Sequence, residues 1–485
     1  MTIDRSRNST SRTFLLSCAV IGAVIVAMYV SVACREWFFG DDFIFLSLAQ
    51  TERDWWKIFF PLTHRPWWSY RPITIDVYFA GLFAAVGLRP LPYLLVSLAL
   101  HFATGALVYR LAAQFGFDWR VALATGLLSV STYSSAKGIF WVSAFQHVGA
   151  CFFYLLAVSL FLDFRRRRRF PYQLGSCAAM LATLLCNELG TTLAGILVLL
   201  TLADSRGSLQ LRVRRALFDP APQIAILALY VPFRWLWLGP AFLPMHHLYL
   251  PVLGLHILKN VAGYLYILVH EHPAHLVAVL ILIASAWAAV RRRRIDARQL
   301  GTRTLLLGAW LLTVMVPFIG SRFPLHHRWA MILAAPFCLL IGAQLDALWS
   351  RWGARHPRVF EAALLGLVLL ALPAGALWER AREPWGAINR DLVAILQEHH
   401  PKPPVGGCVS LSVQPGDKWT PHELAMVYYL TGGLLAALHP DRGLHLDVPT
   451  LPKRKTGAAR NCINIDLLPG PAVRWPGSKE SSRPQ

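Results

Sequence analysis

Residues 14–33 read FLLSCAVIGAVIVAMYVSVA, an apolar run that carries no charged side chain and follows three arginines among the first 12 residues. At 1.5 Å per residue, such a run is about long enough to cross ~30 Å of hydrocarbon. The alternative is a cleaved signal peptide, but the apolar part of such a peptide is usually shorter than this run. The run therefore predicts a retained first membrane helix whose basic end lies inside the cell.

The composition of the whole chain supports a membrane protein. Only 15% of the 485 residues are charged and 55% are hydrophobic, with a mean hydropathy of +0.46, whereas a soluble domain carries roughly 25% charged residues. These values exclude a soluble multidomain protein, and they exclude intrinsic disorder, which requires low hydrophobicity. A net charge of +21 would suggest nucleic-acid binding in a soluble protein. Here the apolar runs decide the class, so no nucleic-acid partner is expected.

Arginine clusters divide the remaining apolar runs into membrane crossings. The clusters lie at residues 165–169, 206–215, 291–303 and 351–358. Since lysine and arginine are enriched on the cytoplasmic side, an even number of crossings must separate neighbouring clusters. The apolar stretch 172–203 is then two short crossings that turn near Asn187-Glu188. The apolar runs at residues 91–113, 121–135 and 141–164 are three further crossings. Counted in this way, the chain has about eleven transmembrane helices.

The sequence thus predicts an all-α polytopic membrane protein with a small α/β extracytoplasmic module at its C-terminus. Residues 1–378 form the transmembrane domain, in which residues 35–89 are the first outside loop, and residues 379–485 form the module. We expect an integral protein of the bacterial inner membrane, with a cytoplasmic N-terminus and an extracytoplasmic C-terminus.

Within the module, residues 408–413 alternate apolar and polar side chains like a strand, as do residues 461–467, and residues 421–437 have the pattern of a helix. Cys408 and Cys462 each open a candidate strand in a compartment that permits disulfides. We predict that these two cysteines form a disulfide. The alternative is two unrelated thiols.

Gly40-Asp41-Asp42 places two adjacent carboxylates just after the first helix. Desolvation and mutual repulsion at the membrane edge raise carboxylate pKa values, and a carboxylate with a raised pKa is a candidate general base. The alternative is a solvated pair that caps the next helix, because aspartate is a common N-cap residue. In the same way, Asn187-Glu188 either faces a polar cavity or caps the predicted turn.

Histidines are concentrated in the predicted outside loops. They are His246, His247, His270, His272, His275, His326 and His327. His270-Glu271-His272 does not match a helical zinc motif, because only residues three or four apart share a helix face. A divalent metal held by several loops is left open.

A second group of basic residues lies in the short predicted outside loop at 321–328. Its members are Arg322, His326, His327 and Arg328. Two guanidinium groups and two imidazoles beside a membrane surface suit a phosphate. The alternative is that they anchor the chain to membrane lipid headgroups.

Five short segments in the first half of the chain form a recognisable pattern. They are Tyr70-Arg71-Pro72-Ile73-Thr74, Gly87-Leu88-Arg89-Pro90, Tyr93-Leu94-Leu95-Val96-Ser97-Leu98-Ala99-Leu100-His101, Ile139-Phe140-Trp141-Val142-Ser143 and Cys186-Asn187-Glu188. The pattern resembles the polytopic GT-C glycosyltransferases. Within them it is most similar to the protein O-mannosyltransferase and tetratricopeptide-containing mannosyltransferase branch and its bacterial relatives. Where that branch has a Lys-Glu pair, this chain has Asn187-Glu188.

The resemblance implies a glycosyltransferase that inverts the anomeric carbon. A sugar would move from a polyprenyl-phosphate donor to a hydroxyl of a glycan, lipid or protein acceptor outside the membrane. Asp41 or Asp42 would act as the general base, while Glu188 and Asn187 would orient the acceptor or a cation. The leaving phosphate would be held by cationic side chains. These are Arg71, Arg322, His326, His327 and Arg328.

Other functions fit parts of the pattern. A transporter or flippase of lipid-linked glycans would need charges in the middle of the bilayer, but by these assignments almost every charge lies near a helix end. A polymerase or ligase of lipid-linked glycans is the nearest alternative among enzymes. A structural partner that binds other envelope proteins through the module is a further alternative.

Overall fold

The computed structural model describes residues 11–38, 41–51, 70–205, 207–238, 254–270, 297–320, 327–371, 390 and 393–394, together with four strands of the C-terminal region. The helices are α1 (Ser11–Ile25), α2 (Ser31–Ala33), α3 (Asp42–Thr51), α4 (Tyr78–Val86), α5 (Pro90–Gln114), α6 (Trp119–Val130), α7 (Tyr133–Phe140), α8 (Phe145–Arg167), α9 (Phe170–Cys186), α10 (Leu193–Asp204), α11 (Leu209–Phe218), α12 (Ala221–Leu238), α13 (His256–His270), α14 (Ala297–Ile319), α15 (His327–Leu348) and α16 (Pro357–Ala371). Short π-helical turns occupy Val26–Val30, Pro72–Val77 and Trp349–Gly353, and 3₁₀ turns occupy Val142–Ala144 and Glu188–Thr192.

Several helical runs are long and apolar enough to cross a membrane. In the described residues these runs are Arg12–Ala33, Pro90–Gln114, Val142–Arg167, Thr302–Ile319 and Trp329–Gly353, with a bent pair, Leu209–Phe218 and Ala221–Arg234, as a candidate sixth. The protein is therefore a polytopic helical membrane protein, as expected. The count of about eleven spans stays a prediction, because residues 239–253, 271–296 and 372–389 lie outside the described part of the chain.

One predicted crossing, residues 121–135, is divided in the structure. Helix α6 ends at Val130, and the separate helix α7 begins at Tyr133. The side chain of Thr132 caps α7 by accepting a hydrogen bond from the Ser135 amide at 3.1 Å. Hydropathy misses this break because the residues on both sides of it are buried.

Ion pairs collect at the end of the bundle where α8 finishes, and we call this the basic end. Arg165 lies 3.0 Å from Asp204, the last residue of α10, and Arg168 lies 2.8 Å from Asp219. Gln173, in the first turn of α9, donates to the backbone carbonyl of Asp219. Since α9 begins and α10 ends at this place, the chain between them crosses and returns. The predicted turn at Asn187-Glu188 is confirmed.

The later helices reach the same end. Arg303 of α14 pairs with Asp346 of α15 at 3.3 Å, and Asp346 also accepts a hydrogen bond from the Asp118 amide at 2.8 Å. Arg120 of α6 pairs with Glu361 of α16 at 2.6 Å. Helices that are far apart in sequence are thus held at one level by their terminal charges.

Helices α5 and α6 approach closely in the core. A Cβ atom on Gly126 would lie 3.1 Å from the carbonyl oxygen of Gly105, so both positions require a small residue. Beside this contact, the Tyr29 hydroxyl donates to the Val130 carbonyl at 2.6 Å, and His101 Nε2 lies 2.9 Å from the same oxygen. His101, part of the recognised pattern, therefore satisfies the last carbonyl of α6.

The C-terminal strands form one four-stranded sheet. The strands are β1 (Cys408–Val413), β2 (His445–Asp447), β3 (Cys462–Leu468) and β4 (Ala472–Arg474), in the order β2-β1-β3-β4. Strand β1 is parallel to β2 and β3, and β3 is antiparallel to β4. The strand at 408–413 is confirmed, and the second begins one residue later than predicted. The helix at 421–437 lies outside the described residues, so the α/β module and the boundary at residue 379 stay predictions.

The register of the sheet bears on the proposed disulfide, because Cys408 lies directly opposite Cys462. Neighbouring strands lie roughly 4.8 Å apart, which is within the Cα separation of disulfides. We expect mass spectrometry of non-reduced digests to find the two peptides linked in the wild type and in a Cys177→Ser control, and separate in Cys408→Ser. Alkylation of both cysteines in unreduced, denatured protein would contradict the pairing.

Candidate functional site

Asp42 lies inside the protein, at the opposite end of the bundle from the ion pairs of the basic end. It is the first residue of α3, and its side chain is 0% exposed. Its Oδ1 atom accepts a hydrogen bond from the Ser143 backbone amide at 2.6 Å. Ser143 belongs to the 3₁₀ turn that precedes α8. Asp42 is therefore an internal carboxylate and not a solvated loop residue.

Asp41 has a different environment from its neighbour. The residue is half-buried, and its backbone carbonyl accepts hydrogen bonds from the amides of Ile44 at 3.1 Å and Phe45 at 3.2 Å. This backbone geometry is that of a helix N-cap. The capping alternative thus describes the backbone of Asp41, while the residue as a whole keeps accessible surface.

Aromatic rings form the walls around the start of α3. Phe38 contacts Phe43 and Tyr93, with ring centroids 6.2 and 5.3 Å apart, and Tyr78 stacks on Phe145 at 3.7 Å. The Tyr78 hydroxyl donates to the Tyr93 carbonyl at 2.9 Å. Such walls exclude water and strengthen electrostatic interactions inside them.

Two buried polar atoms in this region have no partner among the described residues. They are the hydroxyl oxygen of Ser143 and the indole nitrogen of Trp37. Buried polar groups in native proteins are nearly always hydrogen-bonded to protein or water. Ser143 therefore has an unused hydroxyl on the residue whose amide holds Asp42.

Glu188 lies between two arginines at the turn that joins α9 and α10. Its Oε2 atom is 3.0 Å from Arg71 Nε and 2.7 Å from Arg71 Nη2, and its Oε1 atom accepts a hydrogen bond from Arg234 Nη2. Glu188 with these two residues, the Glu188 cluster, carries a net charge of +1. Arg71 was expected at the site, but to bind phosphate alone. The structure shows that it is also the ion-pair partner of Glu188.

Sequence reasoning missed Arg234. The signal was present, because Arg234 is the single charged residue in the apolar run of α12, and a charge in a membrane segment usually has a partner or a function. Its partner, Glu188, was recognised from its own cost in an apolar stretch. The sequence contains both residues of the pair, but it does not show that they lie close together in space.

Further hydrogen bonds hold the Glu188 cluster in place. Arg71 Nη1 donates to Gln146 Oε1 on α8. Arg234 Nη1 lies 2.9 Å from the Tyr230 hydroxyl, which donates to the Leu184 carbonyl at 3.0 Å. The cluster therefore joins the turn that follows Arg71 to α8, α9 and α12.

The charge state of Glu188 follows from these partners. Burial raises the pKa of the Glu188 carboxyl, but the guanidinium groups of Arg234 and Arg71 more than offset this and hold it well below its usual range. The side chain keeps 31% of its surface exposed. A carboxylate with so low a pKa is a poor proton acceptor at neutral pH, so Glu188 is unsuited to the role of general base.

Asn187 is used within the turn itself. Its side chain is 4% exposed, and its oxygen accepts a hydrogen bond from the Leu189 amide at 3.1 Å. The turn-capping alternative describes this contact. The expected role of Asn187 in orienting an acceptor or a cation stays a prediction.

The two acidic groups attach to one short segment at the start of α8. Ser143, which holds Asp42, precedes Gln146, which holds Arg71, by three residues. The Thr74 hydroxyl, on the turn that follows Arg71, donates to the Cys186 carbonyl at 3.2 Å. Asp42, Arg71 and the Glu188 turn are therefore parts of one end of the bundle.

The remaining predicted site residues are not described to the same extent. Arg322 and His326 lie outside the described residues, as do the side chains of His327 and Arg328 at the start of α15. Among the described residues no three His, Cys, Asp or Glu side chains could hold a metal ion together. Among the histidines of the predicted outside loops, His246, His247, His272, His275 and His326 lie outside this set, as do the side chains of His270 and His327.

Comparison with known proteins gives matches to solved structures alone. No protein-family model matches the sequence, and no curated protein matches it. The oligosaccharyltransferase of Archaeoglobus fulgidus tethered with an acceptor peptide superposes with a TM-score of 0.53 and 11% identity, over 91% of this chain and 64% of that one. Its apo form gives 0.50 and 13%, over 90% and 64%. ArnT from Cupriavidus metallidurans bound to undecaprenyl phosphate gives 0.51 and 16%, over 90% of each chain.

The chain shares its overall fold with the oligosaccharyltransferase and with ArnT. Identities of 11–16% establish the fold and nothing finer. The chain spans less than two thirds of the length of the oligosaccharyltransferase, but most of the length of ArnT. The expected mannosyltransferase branch stays a prediction.

Replacing Glu188 by Gln should destabilise the fold, because it leaves two guanidinium groups without their counter-charge. Breaking a buried pair costs about 3–5 kcal/mol and a surface pair about 0–1, so a loss of about 1–3 kcal/mol is expected at this partly exposed site. The control is Glu361→Gln, which breaks the Arg120 pair at a carboxylate that is 44% exposed. The unfolding temperature in detergent should fall by several degrees in E188Q and hardly change in E361Q. Equal shifts would contradict a special role for the cluster.

The lowered pKa of Glu188 also predicts how the stability difference between wild type and E188Q depends on pH. The folded-state pKa of Glu188 lies below the unfolded value of roughly 4.3. The stabilisation is therefore complete above the unfolded value and is lost as the pH falls through the folded value. The gap in unfolding temperature between wild type and E188Q should be the same at pH 8 and pH 6, and should shrink below about pH 4. A gap that changes between pH 8 and pH 6 would contradict the assignment.

Proposed function

We propose that this chain is a membrane glycosyltransferase that moves a sugar from a polyprenyl-phosphate donor to an acceptor hydroxyl. One observation carries the proposal: Asp42 of the acidic pair and Arg71 of the positively charged Glu188 cluster are both hydrogen-bonded to the segment from Ser143 to Gln146, at one end of the bundle. The shared fold supports it, and so does the undecaprenyl phosphate bound to ArnT, a protein of the same fold. By the charge rule, the reaction takes place on the extracytoplasmic side.

Within this proposal, Asp41 is the general base and Asp42 is a positioning residue. A base must reach the proton that it removes, and Asp41 keeps accessible surface while Asp42 has none. Asp41 would take the proton of the acceptor hydroxyl as its oxygen attacks the anomeric carbon. The bond from that carbon to the phosphate oxygen would break, with its electron pair going to the phosphate, and the configuration would invert. Asp42, held by the Ser143 amide, would fix the start of α3.

The leaving polyprenyl phosphate gains negative charge as the sugar departs, and preorganised cations stabilise such charge best. We assign this task to Arg71 and Arg234, whose combined charge exceeds that of Glu188. Glu188 then orients the two guanidinium groups. Arg322, His326, His327 and Arg328 remain proposed as further phosphate ligands.

The distribution of charge favours a transferase over a transporter. In the five described spans, the Asp, Glu, Lys and Arg residues lie within about two turns of a helix end. A transport path needs polar or charged groups near the middle of the membrane. The acceptor distinguishes the two kinds of enzyme. A simple transferase uses a single hydroxyl compound, whereas a polymerase or ligase uses a growing lipid-linked glycan.

The base assignment is tested by Asp41→Asn in vesicles supplied with a panel of undecaprenyl-phosphate sugars and bacterial envelope lipids. Release of undecaprenyl phosphate reports transfer whatever the sugar is, and mass spectrometry of the products identifies the acceptor. We expect D41N to reduce the rate by about 10²–10⁴, while Glu361→Gln, at the basic end, leaves it unchanged. Undiminished transfer by D41N rules out this residue as the base, and loss in Asp42→Asn alone would move the role to Asp42.

The phosphate assignment is tested by binding of undecaprenyl phosphate, measured by native mass spectrometry. Arg234→Gln should weaken binding at least tenfold, because a charge-assisted contact is worth roughly 1.5–3 kcal/mol, and Arg234→Lys should restore part of it. Arg169→Gln, an exposed arginine beyond the end of α8, is the matched control and should bind like the wild type. Unchanged affinity in R234Q would contradict the assignment.

A further inference from the structure

A large apolar groove lies at the basic end, far from the Glu188 cluster. Its volume is about 770 Å³, and it runs between the end of α15 and helix α16. Its walls include Leu345, Leu348, Trp352, Phe360, Leu364 and Leu367. The walls expose almost no polar group, so an occupant must present hydrocarbon to them.

Three exposed arginines lie in or next to the short segment that joins α15 to α16. Arg351 directly precedes Trp352, Arg358 lies two residues before Phe360, and Arg355 lies between them. Within the described part of the chain none of the three makes an ion pair. Nearby carboxylates are already used, because Glu361 pairs with Arg120 at 2.6 Å and Asp346 pairs with Arg303 at 3.3 Å.

The position suits the boundary between hydrocarbon and headgroups. Trp352 is exposed and its ring contacts His356, with centroids 5.3 Å apart, and tryptophan favours the headgroup level of a membrane. Basic pockets between membrane helices bind anionic lipid headgroups. An apolar groove thus lies beside a segment that carries three exposed arginines.

We propose that this groove binds an anionic phospholipid, with an acyl chain along α16 and the phosphate on Arg351, Arg355 and Arg358. The three arginines favour an anionic headgroup, and the almost wholly apolar walls favour an acyl chain. Polyprenyl phosphate is assigned to the opposite end of the bundle. The inference is independent of the glycosyltransferase proposal.

The charge requirement is tested with the full chain in phosphatidylcholine nanodiscs that contain a small fraction of phosphatidylglycerol. Native mass spectrometry measures how much phosphatidylglycerol stays bound. The variant R351Q/R355Q/R358Q should bind it at least fivefold more weakly. The control R169Q/R214Q/R215Q removes the same charge from exposed arginines elsewhere at the basic end and should stay within twofold of the wild type. Equal loss in both variants would overturn the site, because it would indicate general attraction to a basic surface.

The groove itself is tested by Gly366→Leu, which leaves all three arginines in place. Gly366 lines the groove, and a Cβ atom there would meet nothing within 4 Å. Leucine should therefore enter the groove without disturbing the fold and reduce phosphatidylglycerol binding at least fivefold. Gly308→Leu on α14 is the control, because its Cβ position is equally open.

Unchanged binding in G366L would overturn the proposal. So would phosphatidylcholine retained as tightly as phosphatidylglycerol, because the arginines would then select nothing. Undecaprenyl phosphate that displaces phosphatidylglycerol with higher affinity and the same dependence on Arg351, Arg355 and Arg358 would overturn the choice of occupant. Thermal unfolding of each variant in detergent confirms that the lipid effect is not a loss of fold.

Discussion

The pairing of Glu188 with Arg71 and Arg234 is the interaction on which the candidate site depends. A carboxylate between two short apolar helices would be very costly if it had no counter-charge. With two guanidinium groups on it, the carboxylate is stable and the cluster keeps a net positive charge. The same contacts join α8, α9, α12 and the turn after Arg71. They therefore hold the turn between α9 and α10 in place.

A second constraint acts at the opposite end, where charged side chains pair between helices. The Arg120–Glu361 pair joins residues that are 241 positions apart in sequence, and the Arg303–Asp346 pair joins residues that are 43 positions apart. Since the helices are held together at the basic end, the other end of the bundle can carry buried polar groups. Asp42, which is fully buried and accepts a hydrogen bond from the Ser143 amide, is such a group.

Hydropathy and arginine clusters are local signals, and they were sufficient to predict the first helix, the α5 and α8 spans and the turn at Asn187-Glu188. The break between α6 and α7 was missed, because a buried polar turn such as Ser131-Thr132 looks like part of an apolar run. Contacts between distant segments could not be predicted. Arg71 and Arg234 lie far from Glu188 in the chain, and the partner of Asp42 is a backbone amide, which no side-chain pattern reveals.

The difference at Asn187 from the Lys-Glu pair of the mannosyltransferases that the sequence resembles can be understood through this geometry. A cation directly before Glu188 is not needed for charge balance, because Arg71 and Arg234 supply two. Asn187 is then free to cap the turn through the Leu189 amide. Asp41, Asp42 and Glu188 also differ in what they can do. Glu188 has a pKa held too low for proton abstraction, and Asp42 has no surface to offer a substrate. Asp41 combines partial burial with access, which is why the base role is assigned to it.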